Sequence, residues 1–143
     1  MAIKPDFFTF DTLLQKNLFR IPNFQRAYSW ETKQRKDLFD DILKLSKYPD
    51  RHHFMSTIVC LNTKPKVEVG VDEFQVLNVV DGQQRLTTLI IILKSISKVL
   101  DSNYGEKKEK NKIEELLIKD EERLILLQTN HDSNDIFRKY LVV

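Results

Sequence analysis

The chain has 143 residues, of which 41% are hydrophobic and 31% charged, and its formal net charge is +2. This composition is typical of a globular domain with its own core. Because its net charge is nearly neutral, the chain is not one of the strongly basic proteins that attract nucleic acid over their whole surface. No apolar run approaches the ~20 residues of a membrane span, and the first residues lack a secretory signal. The single cysteine, Cys60, excludes an internal disulfide framework. We therefore expect a cytoplasmic protein that does not contact membranes.

Hydrophobic periodicity and turn residues predict alternating helices and strands. In chain order the predicted elements are a helix over residues 9–16, a strand over 18–21, a helix over 33–47, strands over 54–61 and 74–80, helices over 83–100 and 113–119, a strand over 123–128 and a helix over 133–141. The loop with Pro65 and Gly70 should be exposed, and residues 101–112 are predicted to be a linker or a frayed helix start. The alternation predicts an α/β or α+β fold in which helices cover a small sheet.

The helix over residues 83–100 should be buried against the sheet, because its middle is apolar on all sides. Its apolar stripe consists of Leu86, Leu89, Ile90, Leu93, Ile96 and Leu100. The helix over residues 33–47 has its own stripe, with Ser29 or Thr32 as its N-cap. That stripe consists of Leu38, Ile42 and Leu45, with Phe39 and Leu43 beside it. The chain ends on apolar residues without a cap, so we expect residues 1–143 to form a single domain that is a fragment of a longer protein.

The turn between the strand over 74–80 and the helix over 83–100 is the most informative segment. It contains one of only three glycines, Gly82, together with the carboxylate of Asp81, the amides of Gln83 and Gln84, and the guanidinium of Arg85. A helix N-terminus favours negative charge, and a guanidinium is a forked donor suited to phosphate, so this turn predicts a phosphate site. An alternative stays open: Asp81 and Gln84 fit a capping box with Asp81 as the N-cap, and Gly82 then only relieves a tight turn.

A second cluster of polar and aromatic residues lies upstream, between Arg20 and Trp30. Its Gln25-Arg26 pair repeats the Gln84-Arg85 pair of the turn, and the two pairs together could clamp one polyanion in a shared pocket. The alternative is that Arg26 pairs with one of the nearby aspartates, Asp40 or Asp41. For the aromatic residues of this segment we favour packing in the core or at its rim.

The other motifs give little evidence for a functional site. His52 and His53 lack further ligands at metal-binding spacing, and Cys60 lies in an apolar strand where a buried, inert thiol is expected. The chain contains no Gly-x-x-x-x-Gly-Lys-Ser/Thr loop, no Gly-x-Gly-x-x-Gly fingerprint and no Gly-x-Ser-x-Gly elbow. The two commonest nucleotide signatures are therefore absent.

A family resemblance adds to this interpretation. The segments that carry it are Ile21-Pro22-Asn23-Phe24-Gln25-Arg26-Ala27-Tyr28-Ser29-Trp30, Leu38-Phe39-Asp40-Asp41-Ile42, His53-Phe54-Met55-Ser56-Thr57-Ile58-Val59 and Val80-Asp81-Gly82-Gln83-Gln84-Arg85-Leu86-Thr87-Thr88-Leu89. Together, over about residues 7–141, they resemble the N-terminal domain of the GmrSD-type restriction proteins, a bacterial family with a ParB/sulfiredoxin-like fold. Ser56 stands where a family glycine is expected.

The resemblance implies nucleotide binding and hydrolysis at the Asp-Gly-Gln-Gln-Arg turn, which is similar to the Gly-x-x-Arg turn of ParB-like proteins and sulfiredoxins. Pro22, Gln25, Arg26 and Tyr28 match the upstream motif of the family. The residues so implied are Asp81, Gln84 and Arg85 for catalysis, Gln25, Arg26, Tyr28, Gly82, Gln83, Arg85 and Thr88 for nucleotide binding, and Asp81 for Mg²⁺.

The expected function is that of a nucleotide-binding regulatory domain of a bacterial restriction or phage-defence protein, with NTP hydrolysis left open. Two alternatives from another class are a DNA-binding module that grips backbone phosphates and a homodimerisation scaffold. The chain has only three histidines and no ββα-metal nuclease pattern, so we expect no nuclease activity from it. Contact with DNA would then come through C-terminal domains outside this sequence.

Overall fold

The protein is described by a computed structural model that covers residues 4–22, 28–50, 57–69, 72–104, 107–119, 127–129 and 138–141. The elements are α1 (Phe10–Lys16), β1 (Asn17–Ile21), α2 (Thr32–Lys47), β2 (Val59–Val69), β3 (Asp72–Asp81), α3 (Gln83–Val99), a π-helical turn (Leu100–Tyr104), α4 (Lys107–Leu117) and β4 (Leu127–Thr129). Residues 138–141 are also helical. This mixed content confirms the predicted α+β class. Within the described ranges, none of the helices has the length and apolar character needed to cross a membrane.

The sheet has four strands in the order β2-β3-β1-β4. Strand β1 runs parallel to both β3 and β4, whereas β2 pairs with β3 in the antiparallel sense. Strand β3 therefore lies inside the sheet, and after a single residue, Gly82, the chain continues into α3. The direct connection confirms the predicted turn between the strand over 74–80 and the helix over 83–100, and the structure adds that this strand is internal to the sheet.

The main core lies between one face of the sheet and the helices. Alternation along the strands places Phe19, Ile21 and Val79 on that face, where they meet Leu86 and Ile90 of α3. The same cluster is completed by residues from the other elements, namely Leu14, Leu117, Leu127 and Leu141. Each fully buried aliphatic or aromatic side chain contributes about 1.5–3 kcal/mol. The apolar face of α3 is thus what attaches the helix to the sheet.

A smaller apolar cluster is formed by strand residues that alternate with those of the main core. It consists of Leu18, Phe74 and Val76, and the register pairs Leu18 with Val76 across β1 and β3. The ammonium group of Lys119 lies 5.5 Å from the centroid of the Phe74 ring and donates to the Leu14 carbonyl oxygen at 2.6 Å. Lys119 therefore links the end of α4 to α1 and to this cluster.

The predicted stripe of α3 is wrong at Ile96. Ile96 is 43% exposed, whereas Lys94 and Ser97 are buried. Both polar groups point at α4: Lys94 Nζ donates to Glu114 Oε1 at 2.6 Å, and Ser97 Oγ donates to the same oxygen at 2.5 Å. A lysine can be buried here because a carboxylate from another helix neutralises it.

Strand β2 differs most from its prediction. It begins at Val59 and continues to Val69, through Pro65, where a loop was predicted. Pro65 lies inside a register shift between Thr63 and Val67, and β2 is an edge strand. Proline is tolerated at such a place because the edge needs no donor there. The first part of the predicted strand lies in residues 51–56, outside the described residues.

The predictions for the remaining elements hold only in part. Within 101–112, the π-helical turn and the start of α4 replace the predicted linker or frayed start. The N-cap of α2 is Glu31, not Ser29 or Thr32, and its N–H donates to Gln34 Oε1 at 3.0 Å. Phe39 and Leu43 of α2 are both 48% exposed, and Leu38 is the residue of that helix that is buried. Residues 123–126 of the last predicted strand and residues 133–137 of the last predicted helix lie outside the described residues.

The contact between α3 and α4 gives a stability prediction. Glu114→Gln should lower the free energy of unfolding by about 1–3 kcal/mol, because Lys94 keeps a buried positive charge without its anionic partner. Glu115→Gln is the matched control, since Glu115 is an exposed carboxylate on the same helix. Chemical denaturation measures both. Equal unfolding free energies for the two variants would show that the pair contributes nothing to stability.

Lys119 gives a pH prediction. Burial lowers the pKa of Lys119 from 10.5 to about 8. The unfolded chain therefore binds more protons than the folded chain between these pH values. The burial penalty on the ammonium is fully present below pH 8 and is relieved as the pH rises toward 10.5. Between these pH values, the free energy of unfolding of the wild type should therefore rise relative to that of Lys119→Met. Denaturation of both proteins across this pH range measures the difference, and a pH-independent difference would refute the shift.

Candidate functional site

The end of β3 carries a β-bulge. Val59 pairs with Asp81 and Cys60 pairs with Val79, so Val80 is the additional residue on β3. A bulge bends its strand and increases the local twist, and bulges often stand beside functional sites because they redirect the chain. Here the bulge immediately precedes Asp81 and Gly82. It sets the direction in which the chain leaves the sheet.

Gly82 is the N-cap of α3 and has a φ of 93°, in the left-handed region. A Cβ at this position would lie 3.1 Å from the carbonyl oxygen of Thr57 and 3.2 Å from Ile58 Cγ1. The backbone angle and the close neighbouring chain therefore both require glycine. The interpretation of Gly82 as relief of a tight turn is confirmed, and it is compatible with a phosphate site at the same place.

The predicted capping box does not form. The N-cap is Gly82, and the exposed Asp81 carboxylate accepts instead from the Gly82 N–H, with Oδ1 at 3.0 Å. Gln84 does not reach back to Asp81 as a capping box requires, because its Oε1 accepts from the N–H of Ser29 at 2.9 Å. Capping therefore does not explain why these two residue types occur in the turn.

The first turn of α3 contains the predicted amides and the guanidinium. Gln83 and Gln84 are 7% and 8% exposed, whereas Arg85 is only half-buried. The N–H of Leu86 donates to the Gly82 carbonyl at 3.1 Å, which is the first turn of the helical ladder. The N–H groups that precede it are directed out of the helix end, where the positive end of the dipole lies. This helix end thus combines the positive end of the dipole with the half-buried guanidinium of Arg85 and the exposed carboxylate of Asp81.

Residues 28–30 lie against this end of α3. Thr88 Oγ1 donates to the Gln84 carbonyl at 2.8 Å, so the Tyr28 hydroxyl, at 2.9 Å from Thr88 Oγ1, acts as the donor to Thr88. The next residue, Ser29, donates its N–H to the side chain of Gln84. The C-terminal end of the upstream motif is thereby attached to α3 through two successive residues, Tyr28 and Ser29.

The third successive contact joins Trp30 to Arg85. Arg85 Cζ lies 5.8 Å from the centroid of the Trp30 ring, within the range of a cation–π interaction. On the other side, Arg35 Nη1 donates to the Trp30 carbonyl oxygen at 3.0 Å. We call the three contacts Tyr28–Thr88, Ser29–Gln84 and Trp30–Arg85 the clasp.

The structure thus brings most of the predicted site residues together. Asp81, Gly82 and Gln83 form the turn, while Tyr28 and the side chains of the clasp join it on one side. Gln25 and Arg26 lie outside the described residues, so their shared pocket with Gln84 and Arg85 stays a prediction, as does the pairing of Arg26 with an aspartate.

One residue of the arrangement was not predicted to be part of the site. Trp30 was expected to pack in the core or at its rim, and it does lie at the rim, half-buried, but against Arg85. The sequence held one signal for this contact: the only tryptophan closes the upstream motif, as an arginine closes the turn. That signal says nothing about which charged residue the ring meets.

Metal binding would involve the carboxylate of Asp81, and nucleophilic chemistry would involve the thiol of Cys60. In the described ranges, no group of three or more His, Cys, Asp or Glu side chains could hold a metal ion. The single carboxylate of Asp81 fits Mg²⁺ only in the mode in which phosphates and water supply the other ligands, the usual mode for Mg²⁺. Burial raises the pKa of the Cys60 thiol to about 11, so it stays protonated at neutral pH. This agrees with the prediction of an inert thiol.

Comparison with known proteins is consistent with this arrangement. The family model described as "GmrSD restriction endonuclease, N-terminal domain" matches residues 10–142. No curated protein matches the chain significantly. The ParB/sulfiredoxin-like fold that the resemblance implies stays a prediction. Since the match covers nearly the whole sequence and both motifs, the chain belongs to the family of GmrSD restriction endonuclease N-terminal domains and is a component of a restriction or phage-defence protein.

Proposed function

We propose that this domain binds a nucleoside triphosphate at the turn between β3 and α3, and that it serves as the nucleotide-dependent regulatory part of a restriction protein. The observation that carries the proposal is the combination of Gly82 and Arg85. Gly82 starts α3 in a left-handed conformation without a side chain, and Arg85 follows three residues later, half-buried beside the same helix end. Such an end provides outward N–H groups, a favourable dipole and a guanidinium within one turn.

Each residue of the turn has a distinct part in the proposed mechanism. The left-handed backbone of Gly82 begins α3 at this point, and the positive end of the helix dipole there favours the negative charge of the phosphates. Arg85 offsets the charge of the phosphates with a forked pair of donors. The buried positions of Gln83 and Gln84 exclude water from the floor of the site, which strengthens these interactions.

Asp81 is the residue proposed for the hydrolytic step. Its carboxylate is exposed at the edge of the turn, and one oxygen is held by the Gly82 N–H. This hydrogen bond fixes the carboxylate where it can orient a water molecule or hold Mg²⁺. When bound, Mg²⁺ would neutralise charge on the phosphate oxygens. Hydrolysis is a second part of the proposal, and it requires that the nucleotide binds first.

The proposal predicts the effect of removing the guanidinium. Arg85→Ala should weaken the binding of a nucleoside triphosphate with Mg²⁺ by about ten- to hundredfold, because one charge-assisted contact of roughly 1.5–3 kcal/mol is lost. Folding should be largely unaffected, since Arg85 is outside the apolar core cluster. Calorimetric titration with ATP, GTP, CTP and UTP in turn measures the affinity and identifies the base that is preferred.

Lys112→Ala is the matched control for this experiment. It removes the same charge from an exposed position on α4 and should leave the affinity unchanged. A wild-type protein that binds no nucleotide would contradict the proposal. If that protein instead binds duplex DNA with an affinity that falls steeply between two salt concentrations, the turn serves a DNA-binding module.

A further inference from the structure

The clasp connects two parts of the chain that are separated by more than fifty residues, and it does so directly beside the turn. Three consecutive residues, from Tyr28 to Trp30, contact three residues on the first turns of α3. We infer that Trp30 is a positioning residue that sets the guanidinium of Arg85 for an anionic ligand, and that Gln84 holds Trp30 in place. This inference rests on the proposed function, because its ligand is the triphosphate group.

The first step of the argument concerns how Trp30 is held. Gln84 is 8% exposed, so the hydrogen bond from the Ser29 N–H to its Oε1 is shielded from water and is stronger than an exposed one. This bond anchors the peptide group between Tyr28 and Ser29, one residue before Trp30. The carbonyl group of Trp30 is anchored as well, by Arg35 Nη1. The backbone is thus held on both sides of Trp30, and the ring itself contacts Arg85.

The second step concerns Arg85. An arginine at a half-buried helix end has many rotamers, and ordering it upon binding reduces affinity. The face of a tryptophan is the best aromatic partner for a guanidinium, and the observed 5.8 Å separation is within range. The ring therefore restricts Arg85 before the ligand arrives. The ring lies over a face of the guanidinium, and the N–H donors of the guanidinium lie in its plane, outside this contact.

The third step concerns Gln84 itself. Its side-chain oxygen is engaged with Ser29, and its carbonyl oxygen accepts from Thr88, which in turn receives the hydroxyl of Tyr28. Gln84 thus contacts the middle of the clasp directly and its Tyr28 end through Thr88. In this account Gln84 acts on the ligand through Trp30 and Arg85, a positioning role that differs from the catalytic role predicted for it from the sequence.

The test uses the full chain and replaces Trp30 in two ways. Trp30→Leu removes the aromatic face and should weaken Mg²⁺–nucleotide binding by roughly three- to tenfold, whereas Trp30→Phe keeps a face and should restore most of the affinity. Gln84→Met, which removes the acceptor at similar size, should resemble Trp30→Leu. Phe39→Leu is the matched control, because it makes the same kind of change at an exposed aromatic residue of α2 and should have no effect.

A double-mutant cycle separates positioning from general structural damage. In the Arg85→Ala background, Trp30→Leu should cause no further loss of affinity, because the ring acts through the guanidinium. A second readout requires no ligand. Trp30 is the only tryptophan, so Arg85→Met should change its fluorescence emission in the free protein, and Lys112→Met should not.

The outcomes distinguish this inference from the proposed function. Suppose that the wild-type protein binds nucleotide. If Trp30→Leu leaves the affinity unchanged, or lowers it by the same factor with and without Arg85, the positioning role is refuted and the nucleotide site stands. An unchanged Trp30 emission in Arg85→Met also refutes it, even where the Trp30 variants fail to fold. If the wild-type protein binds no nucleotide, the proposed function itself is refuted, and the inference with it.

Discussion

The chain can turn from β3 into α3 only because position 82 has no side chain. The backbone there is left-handed, and the segment at Thr57 and Ile58 passes so closely that any Cβ would be crowded. This constraint fixes where α3 begins and which of its residues form the first turn. The bulge at Val80 adds to it by bending the strand just before the turn. The position of the long helix, and therefore of the core beneath it, follows from this one place.

The same constraint explains why the polar residues of the turn are not used for capping. With Gly82 as the N-cap, Asp81 lies outside the helix and its carboxylate is exposed at the edge. Gln84 is then at the second helical position, where its side chain meets Ser29. The turn thus keeps a carboxylate and a guanidinium at the helix end while its amide residues are buried. Polar groups that gather at a helix end without a capping role are typical of functional sites, which supports the proposed binding of an anion.

The elements around this turn were also those that the sequence predicted best. Strand β3 and helix α3 have strong alternation and strong apolar periodicity, and a glycine separates them, so local pattern suffices there. The predictions failed where a residue distant in the sequence determines whether a side chain is buried. Lys94 and Ser97 lie on the same helical stripe as Leu86 and Ile90, but their polar character alone predicts exposure, and only Glu114 on α4 supplies the partner that allows their burial.

The same reason limits what could be predicted about the site. Gly82 and Arg85 follow from the motif itself, but the partner of Gln84 is 55 residues away and that of Thr88 is 60 residues away. Only the folded chain shows that Trp30 reaches Arg85. Strand β2 continues through Pro65 because it lies at the sheet edge, a property of the topology that local composition does not contain.

The most direct test of the central claim locates the ligand on the backbone. In the amide NMR spectrum of the isotope-labelled chain, a saturating Mg²⁺–nucleotide complex should shift the signals of Gly82, Gln83 and Gln84 most strongly, together with the indole N–H of Trp30. These amides are at the end of α3 to which the phosphates are assigned. Largest shifts on α2 or α4, with the signals of residues 82–84 unchanged, would contradict a nucleotide site at the β3–α3 turn.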